Sequence, residues 1–552
     1  MTGGPARARE ALAHHDWVTA YELLQSTDAR ELDADALDGF ADAAWWMSRL
    51  DECIEARGAA YHAYQANGDG RRAGQCAVWL FEHHCFKAQP AIAGTWLRRG
   101  RRALADHQEC IEYGNLLLRE GELLHSSGEL EEASKLALEA IELARRLGSD
   151  ELEALALQTA GRLAIDQGRA DDGLKQLDEA MLFAVEGRLS PYATGKVYCS
   201  LISACDEIGD LSRAAEWTEA TTQWSQRNPL AVFPGLCRVH HAQILGWRGS
   251  WTEAVEEAHR ACGELEDVNV GNAAAAWSEI GEIRRRIGDL DGAEVAFHRA
   301  EELCGRPQAG VALLRLAQGR LAEARQIIQG ALAGETWNRL ARAKLLPAGI
   351  QIDIAGGELD SAAAAVDELE AIAAPHAGSM LEAMATTCRG RLALARADTE
   401  VACPSLRRAV EMWLALDVPY EAATARLLLG QSCRQAGDED GATFSLSAAV
   451  RVFDELGAIL DARHTRAISE PATADALPRG LTAREAQVLE LLALGSTNKV
   501  IAAELGVSIK TVARHLENIF LKIEVSTRSA ATAFALAHGL ASRNEQPGSR
   551  RM

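Results

Sequence analysis

GELEEASKLALEA, residues 128–140, is one copy of a pattern that recurs along most of this 552-residue chain. A copy begins with Gly, usually has Ala five residues later, and usually has a second Ala seven residues after that. Further clear copies begin at residues 168, 209, 249, 288, 319, 357 and 437, and weaker ones begin near residues 15, 48, 88 and 397. Self-similarity at a period of about 40 residues predicts about a dozen stacked units, each of which buries its apolar face only against its neighbours.

The repeated pattern predicts a pair of helices joined by a tight turn. Gly suits the end of the first helix, because the residue there commonly needs a positive φ. An acidic residue often follows, as Glu129 and Asp210 do, and negative charge is favourable in the first turn of a helix. The two alanines lie on one face of the second helix, where their small size lets neighbouring helices approach closely.

The composition is that of a folded all-α protein: 48% of residues are hydrophobic, 25% are charged, and Ala, Leu, Glu and Arg dominate. The twelve cysteines never form a Cys-x-x-Cys pair, and the chain shows neither a signal peptide nor an apolar run of membrane-spanning length. We therefore expect a cytoplasmic protein without a membrane partner.

The repeats resemble the second helix of tetratricopeptide (TPR) repeats, although the TPR period is nearer 34 residues. The resemblance implies a TPR-like α-solenoid over residues 1–465 that acts as a sensor or interaction domain. Its partner would be an unknown protein or peptide in the groove or, less often, a small ligand. An irregular α-solenoid without TPR geometry remains the alternative.

A different organisation follows residue 465. Residues 466–480 contain two prolines and many small residues, and they predict a linker. Residues 481–541 predict four helices, the first opened by a capping box of Thr482 and Glu485. The second helix would run from Asn498 to Leu505 and bury Val500, Ile501 and Leu505. Residues 542–552 are expected to be a flexible tail.

The third predicted helix, residues 509–523, follows a tight corner at Gly506 and is capped by Ser508. Its predicted buried stripe is Val512, Leu516, Ile519 and Ile523. The helical phase then directs Lys510, Arg514, Glu517 and Leu521 outward, flanked by Ala513 and Asn518. A helix of this kind fits the DNA major groove, where Arg514 could bind guanine, Asn518 adenine and Glu517 cytosine.

The distribution of charge along the sequence supports a separate C-terminal segment that faces DNA. The net charge of the chain is −22, yet residues 481–552 hold 9 Lys and Arg against 6 Asp and Glu. The acidic excess therefore lies in the array, while the C-terminal segment is mildly basic. This asymmetry is compatible with phosphate binding by the C-terminal segment.

Residues 481–540 resemble the LuxR/NarL-type DNA-binding domain. The resemblance rests on LTAREAQVL, TNKVIAAEL, SIKTVARH and NIFLK, with Arg528 near the end. It implies DNA contacts at Thr511, Ala513, Arg514 and Glu517, and a dimer contact by the fourth helix. Our full candidate DNA-binding set is Thr497, Asn498, Lys499, Lys510, Thr511, Ala513, Arg514, Glu517, Asn518, Lys522 and Arg528.

The resemblance further implies a transcription regulator that binds double-stranded promoter DNA, with a dimer on an inverted repeat. Two positions depart from the family pattern. Val500 stands where an acidic residue is usual, and Glu524 stands where Gly is usual, which puts the bend before the fourth helix in doubt. The alternative function is a protein-interaction scaffold whose helix-turn-helix contacts protein rather than DNA.

Motifs for catalysis are absent from the sequence. Large regulators of this type often carry an ATPase, but residues 190–197, SPYATGKV, lack the first Gly and the hydroxyl of a phosphate-binding loop. Adjacent histidines such as His83 and His84 diverge on a helix and make poor metal ligands. We therefore expect no enzyme activity, no cofactor and no metal.

Overall fold

The computed structural model describes residues 4–227, 233–305, 309–469, 478–538 and 540. Contacts divide the chain into two units, residues 1–466 and 467–552. The described residues contain helices and no strand, so the all-α prediction is confirmed.

The first unit contains twenty-five α-helices in its described residues. They are α1 (Gly4–Ala13), α2 (Trp17–Gln25), α3 (Ala34–Trp46), α4 (Leu50–Ala66), α5 (Gly70–Phe86), α6 (Pro90–Ala103), α7 (Ile111–Ser126), α8 (Leu130–Leu147), α9 (Asp150–Asp166), α10 (Ala170–Val185), α11 (Pro191–Ile208), α12 (Leu211–Arg227), α13 (Phe233–Trp247), α14 (Trp251–Leu265), α15 (Val270–Ile287), α16 (Leu290–Cys304), α17 (Ala309–Ala317), α18 (Leu321–Gly334), α19 (Arg339–Ala355), α20 (Leu359–Ala373), α21 (Met380–Ala395), α22 (Thr399–Ala415), α23 (Pro419–Gln435), α24 (Glu439–Leu456) and α25 (Ile459–Ser469).

The repeat pattern marks the turn inside each of twelve hairpins, from α1–α2 to α23–α24. From α5 to α23, each odd-numbered helix also contacts the next odd-numbered helix, so the first helices of successive hairpins form a continuous layer. The even-numbered helices pack behind that layer. This is the predicted TPR-like superhelix of helical hairpins.

The small residues of the pattern are buried where the hairpins meet. In the copy that begins at residue 128, Ala133 and Ala140 are both fully buried. The equivalent pairs in four other copies are also at most 1% exposed: Ala254 and Ala261, Ala293 and Ala300, Ala402 and Ala409, and Ala442 and Ala449. Their burial confirms the predicted face of close helix contact.

The turn residue has a positive φ in the weak copies as well as in the clear ones. The eight clear copies place Gly there, with φ of +82° at Gly128 and +79° at Gly357. Four weaker copies instead place residues that carry a Cβ in the same left-handed region: His15, Ser48, Ala88 and Ala397, with φ of 54° to 57°. The turn geometry is thus retained without Gly, at a cost in backbone strain.

Hairpins far apart in sequence touch one another across the superhelix. The backbone N–H of Met380, at the start of α21, donates to the carbonyl oxygen of Gly209 at 3.0 Å. Lys344 Nζ lies 2.6 Å from Asp206 Oδ2. Trp337 contacts the turn at Gly128 and the ring of His125, whose centroid is 5.5 Å away. The array therefore folds back on itself.

The second unit contains α26 (Ala483–Ala493), α27 (Asn498–Glu504), α28 (Ile509–Lys522) and α29 (Arg528–Ala537). Leu481 is 5% exposed and packs in its core. The predicted linker begins inside a helix, because α25 continues to Ser469. Residues 470–477 and the predicted tail, residues 542–552, lie outside the described residues.

Within the described residues, no helix is long and apolar enough to cross a membrane.

Candidate nucleic-acid interface

The first helix of the second unit begins with the predicted capping box. Thr482 Oγ1 accepts from the backbone N–H of Glu485 at 3.2 Å, and Glu485 Oε2 accepts from the backbone N–H of Thr482 at 2.8 Å. Glu485 also accepts from Lys522 Nζ at 2.6 Å. Burial raises the pKa of Glu485, but the bonds from Lys522 and Thr482 outweigh it and hold the pKa below its usual range.

A sharp corner separates α27 from α28. Gly506 has a φ of +64°, which is accessible to Gly without strain. Ser508 Oγ then accepts from the backbone N–H of Thr511 at 3.1 Å and caps α28, as predicted. The two hydroxyls of Ser508 and Thr511 are also 2.8 Å apart. This corner fixes the direction in which α28 leaves α27.

The buried stripe of α28 follows the predicted phase. Val512 and Ile519 are fully buried, while Leu516 is 7% exposed and Ile523, just after the helix, is 4% exposed. The second helix departs from the prediction at one position. Val500 is 44% exposed, because the next residue, Ile501, provides the buried contact of that short helix.

The side chains on the opposite face of α28 are exposed to solvent. Lys510, Arg514, Glu517 and Asn518 are all exposed. In the part of the chain that the structure describes, none of these four side chains has a hydrogen bond or ion pair, although Arg514 and Glu517 lie only three residues apart. Hydrogen-bonding groups without internal partners are available to an external one.

Other members of the predicted DNA-binding set are held inside the domain. Arg528 donates to Asn498 Oδ1 at 2.9 Å and to the carbonyl oxygen of Ser496 at 2.5 Å. Lys522 is bound to Glu485 as described above. These contacts tie α28 and α29 to the first two helices, which the sequence pattern did not reveal.

The rest of the set lies at the surface of the same domain. Thr497 and Lys499 are exposed at the start of α27, and Thr511 is exposed in the first turn of α28. Ala513 is partly buried beside them. His515, at the edge of the buried stripe, is also partly buried.

The bend before α29 is retained although Gly is absent. Glu524 has a φ of +56°, the left-handed conformation that Gly would adopt readily. Thr527 then caps α29 by accepting from the backbone N–H of Ala530 at 3.2 Å. At Glu524 the chain therefore adopts the left-handed conformation with a residue that carries a Cβ.

Helix α29 has two distinct faces. Ala531 and Ala535 are fully buried against the domain core. On the other side Ala533 is exposed and Leu536 is 43% exposed. An apolar side chain on an exposed helix face is available for contact with another protein surface.

Two sequence features of the array have structural roles. Lys196, in the string that partly resembles a phosphate-binding loop, lies within α11 and binds Glu82 at 2.8 Å and Glu122 at 3.2 Å. His83 is fully buried against the rings of Trp45 and Trp79, and burial lowers its pKa to about 3. Among the described residues, no group of three or more His, Cys, Asp or Glu side chains could hold a metal ion.

Comparison with known proteins identifies the second unit. Residues 479–535 match the family model described as bacterial regulatory proteins, luxR family. The C-terminal domain is therefore a LuxR-type helix-turn-helix domain, in agreement with the four helices described above.

Individual relatives match the same segment. Transcriptional regulatory protein LiaR of Bacillus subtilis is 48% identical over 62 residues, which are 11% of this chain and 29% of that protein. Response regulator protein VraR of Staphylococcus aureus is 43% identical over 60 residues, with the same two shares of 11% and 29%. The chain thus spans less than a third of the length of the curated relatives it matches.

Among solved structures, the Cut9–Hcn1 hetero-tetramer of the APC/C is similar to the array, with a TM-score of 0.46 and 12% identity. That match covers 86% of this chain and 95% of the other. The hairpin architecture described here rests on the helix order and packing of this chain alone.

Proposed function

We propose that this chain, whose C-terminal domain is of the LuxR type, is a transcription regulator that binds double-stranded promoter DNA through α28. The helical array would sense a protein, peptide or small ligand. The C-terminal domains of two copies would bind an inverted repeat as a dimer, with the exposed face of α29 as the contact between them.

The observation that carries this proposal is the outward face of α28. Arg514 is exposed there beside Lys510 and Asn518, and none of these side chains has a hydrogen bond or ion pair with another described residue. Arg514 can present two donors to guanine, and Asn518 can pair with adenine, while Lys510 can neutralise a phosphate. The helix-turn-helix corner before α28 gives the arrangement used for the major groove.

The test is to select genomic DNA fragments with the intact protein and then measure binding to a selected site by fluorescence anisotropy at several salt concentrations. Arg514→Ala should weaken binding by about 1–3 kcal/mol, or about five- to 160-fold, and should relax the choice of base at one position in each half-site. The matched control is Arg463→Ala in α25, which removes an exposed arginine from the other unit.

Unchanged affinity and unchanged base choice for Arg514→Ala would exclude α28 as the helix that recognises DNA. Failure to select any site would count against the regulator as a whole. The stoichiometry of the complex tests the dimer: a site with two half-sites should bind two chains, and a single half-site should bind more weakly.

A second candidate function is suggested by Leu521. This residue is 78% exposed and lies seven residues after Arg514, on the same face of α28. A large apolar side chain in that position favours contact with protein, as expected for a scaffold whose helix-turn-helix no longer binds DNA. The variant Leu521→Ser tests this second function. If the protein is a scaffold, the variant should no longer bind its protein partner.

A further inference from the structure

The first helices of the later hairpins line a cavity of about 930 Å³ in the array, and this cavity is partly open to solvent. Its wall is formed mainly by α13, α15, α17, α19, α21, α23 and α25. A cavity of this size lies in the range of binding sites for small organic ligands. It lies wholly within the first unit.

Most of the ionic groups in the cavity wall are paired with one another. Glu282 binds Arg285 at 2.6 Å and Arg286 at 2.8 Å. Arg286 continues to Glu421 at 3.2 Å, and its guanidinium lies 4.5 Å from the ring centroid of Tyr420. These charges satisfy each other and leave no net requirement for a ligand.

Two ionisable side chains of the wall are different. Glu279 on α15 and Arg391 on α21 have no hydrogen bond or ion pair among the described residues. Glu279 is partly buried, and its Oε1 packs so closely on Gly246 that a methyl group there would overlap it. Burial raises the pKa of Glu279 to about 8, which reflects the missing partner.

An unpaired acid and an unpaired base in one cavity are costly for the protein alone, because each loses hydration without gaining a partner. A ligand that carries the two opposite charges would satisfy both. A simple amine would leave Arg391 unmatched, and a simple carboxylate would leave Glu279 unmatched. The remaining wall offers apolar surface, including Leu313, Met384 and Leu427.

We propose that this cavity binds a small zwitterion, a free amino acid or a short peptide, with its ammonium group at Glu279 and its carboxylate at Arg391. The inference rests on the proposed sensor role of the array and names the ligand class for it. A free amino acid and a short peptide carry the same pair of charged groups. They differ in the length of the segment between those groups that the cavity would accommodate.

The test measures the melting temperature of the full chain with pooled probes, since a ligand that binds the folded state raises it. The probes are a pool of free amino acids, a pool of tetrapeptides with free termini, and the same tetrapeptides either N-acetylated or C-amidated. We expect one of the two free pools to raise the melting temperature, and the pool that does so identifies the source.

If tetrapeptides are the source, the acetylated and amidated pools should bind about ten-fold more weakly or worse, because each lacks one charge-assisted hydrogen bond. If free amino acids are the source, N-acetyl amino acids and amino acid amides replace them in the same comparison. A response to blocked probes equal to that of the free ones, or no response to any pool, overturns the proposal.

Two variants assign the ends of the ligand. Glu279→Gln should abolish the preference for a free amine, and Arg391→Gln should abolish the preference for a free carboxylate. Glu411→Gln and Arg407→Gln, both exposed on α22, are the matched controls and should change neither preference. Since the blocked probes test the unaltered chain, the result does not depend on the folding of any variant.

DNA binding by the same preparation separates this inference from the proposed function. If DNA is bound and no zwitterion pool raises the melting temperature, the proposed ligand class is wrong and the proposal of a transcription regulator stands. If a pool responds and no DNA site is selected, the cavity is a binding site and the regulator proposal fails.

Discussion

Lys522 Nζ and Glu485 Oε2 lie 2.6 Å apart, so the last turn of α28 is joined to the first turn of α26. Glu485 is 4% exposed and also accepts from the backbone N–H of Thr482. One carboxylate therefore caps a helix and anchors the end of the proposed recognition helix. Removing Lys522 would leave that carboxylate buried without its charged partner.

Lys522→Met should destabilise the C-terminal domain by about 1–3 kcal/mol, the usual cost of an unsatisfied buried polar group. Urea unfolding of the full chain, followed by a probe in the C-terminal domain, measures the change. Lys510→Met is the control, because Lys510 is exposed and has no partner within the described chain. Equal stability of the two variants would show that the ion pair contributes nothing.

The lowered pKa of Glu485 predicts how the stability of the domain changes in acid. The folded-state pKa of Glu485 lies below its unfolded value, so the folded state binds a proton less readily. The stabilisation is fully present above about pH 4.5 and is lost as pH falls through the lowered pKa. The C-terminal domain of the Glu485→Gln variant should be less stable than that of the unaltered chain at pH 7, and its stability should depend less on pH. Acid unfolding followed by a probe in that domain measures both.

Lys510→Ala should weaken DNA binding to all sequences by a similar factor and reduce the slope of log affinity against log salt by about 1. The expected cause is the loss of a phosphate contact, which carries no base information. Anisotropy titrations against a selected and a scrambled site give both quantities. A change confined to the selected site would instead place Lys510 against a base.

Ala397→Gly should stabilise the array by up to about 1 kcal/mol, because Ala397 has a φ of 56°, where a Cβ is strained. Gly357→Ala in the preceding hairpin is the reverse experiment. Gly357 has a φ of +79°, and among the described residues no atom outside its two chain neighbours lies within 4 Å of the position that the new methyl group would take, so only backbone strain would act there. Opposite shifts in urea midpoint are expected, and shifts of the same sign would contradict the strain.

The contribution of Glu279 to the stability of the array should fall as pH rises from about 5 to about 8. Burial raises the pKa of Glu279 to about 8, so the folded state holds this proton more tightly than the unfolded chain. Unfolding then releases a proton in that window and is favoured by higher pH. Glu279→Gln should remove at least about 1 kcal/mol of this dependence, as measured by urea unfolding at pH 5 and pH 8.

The sequence was sufficient to predict features that repeat or that act locally. The turn residues and small residues recur at fixed spacing, so the twelve hairpins and the burial of Ala133 and Ala140 followed from a single pattern. Caps also depend on residues three apart, which is why Thr482 and Ser508 were identified correctly. The phase of α28 followed from its own apolar stripe.

Features that join distant segments were not predicted. The bond from Lys522 to Glu485 spans 37 residues, and the one from Arg528 to Asn498 spans 30. Nothing in a local pattern distinguishes these cations from exposed ones such as Lys510. The cavity was missed for the same reason, since Glu279 and Arg391 line it together only through the stacking of successive hairpins.

The hydrogen bond between Gly209 and Met380 gives the array a mechanical property. Repeats that touch only their neighbours extend under load as an elastic spring, each junction opening a little. Here a hydrogen bond joins two hairpins whose bonded residues are 171 positions apart along the chain. The array should therefore resist extension at low force. Extension would require rupture of this bond and of the other contacts between distant hairpins, Lys344–Asp206 and Trp337–Gly128.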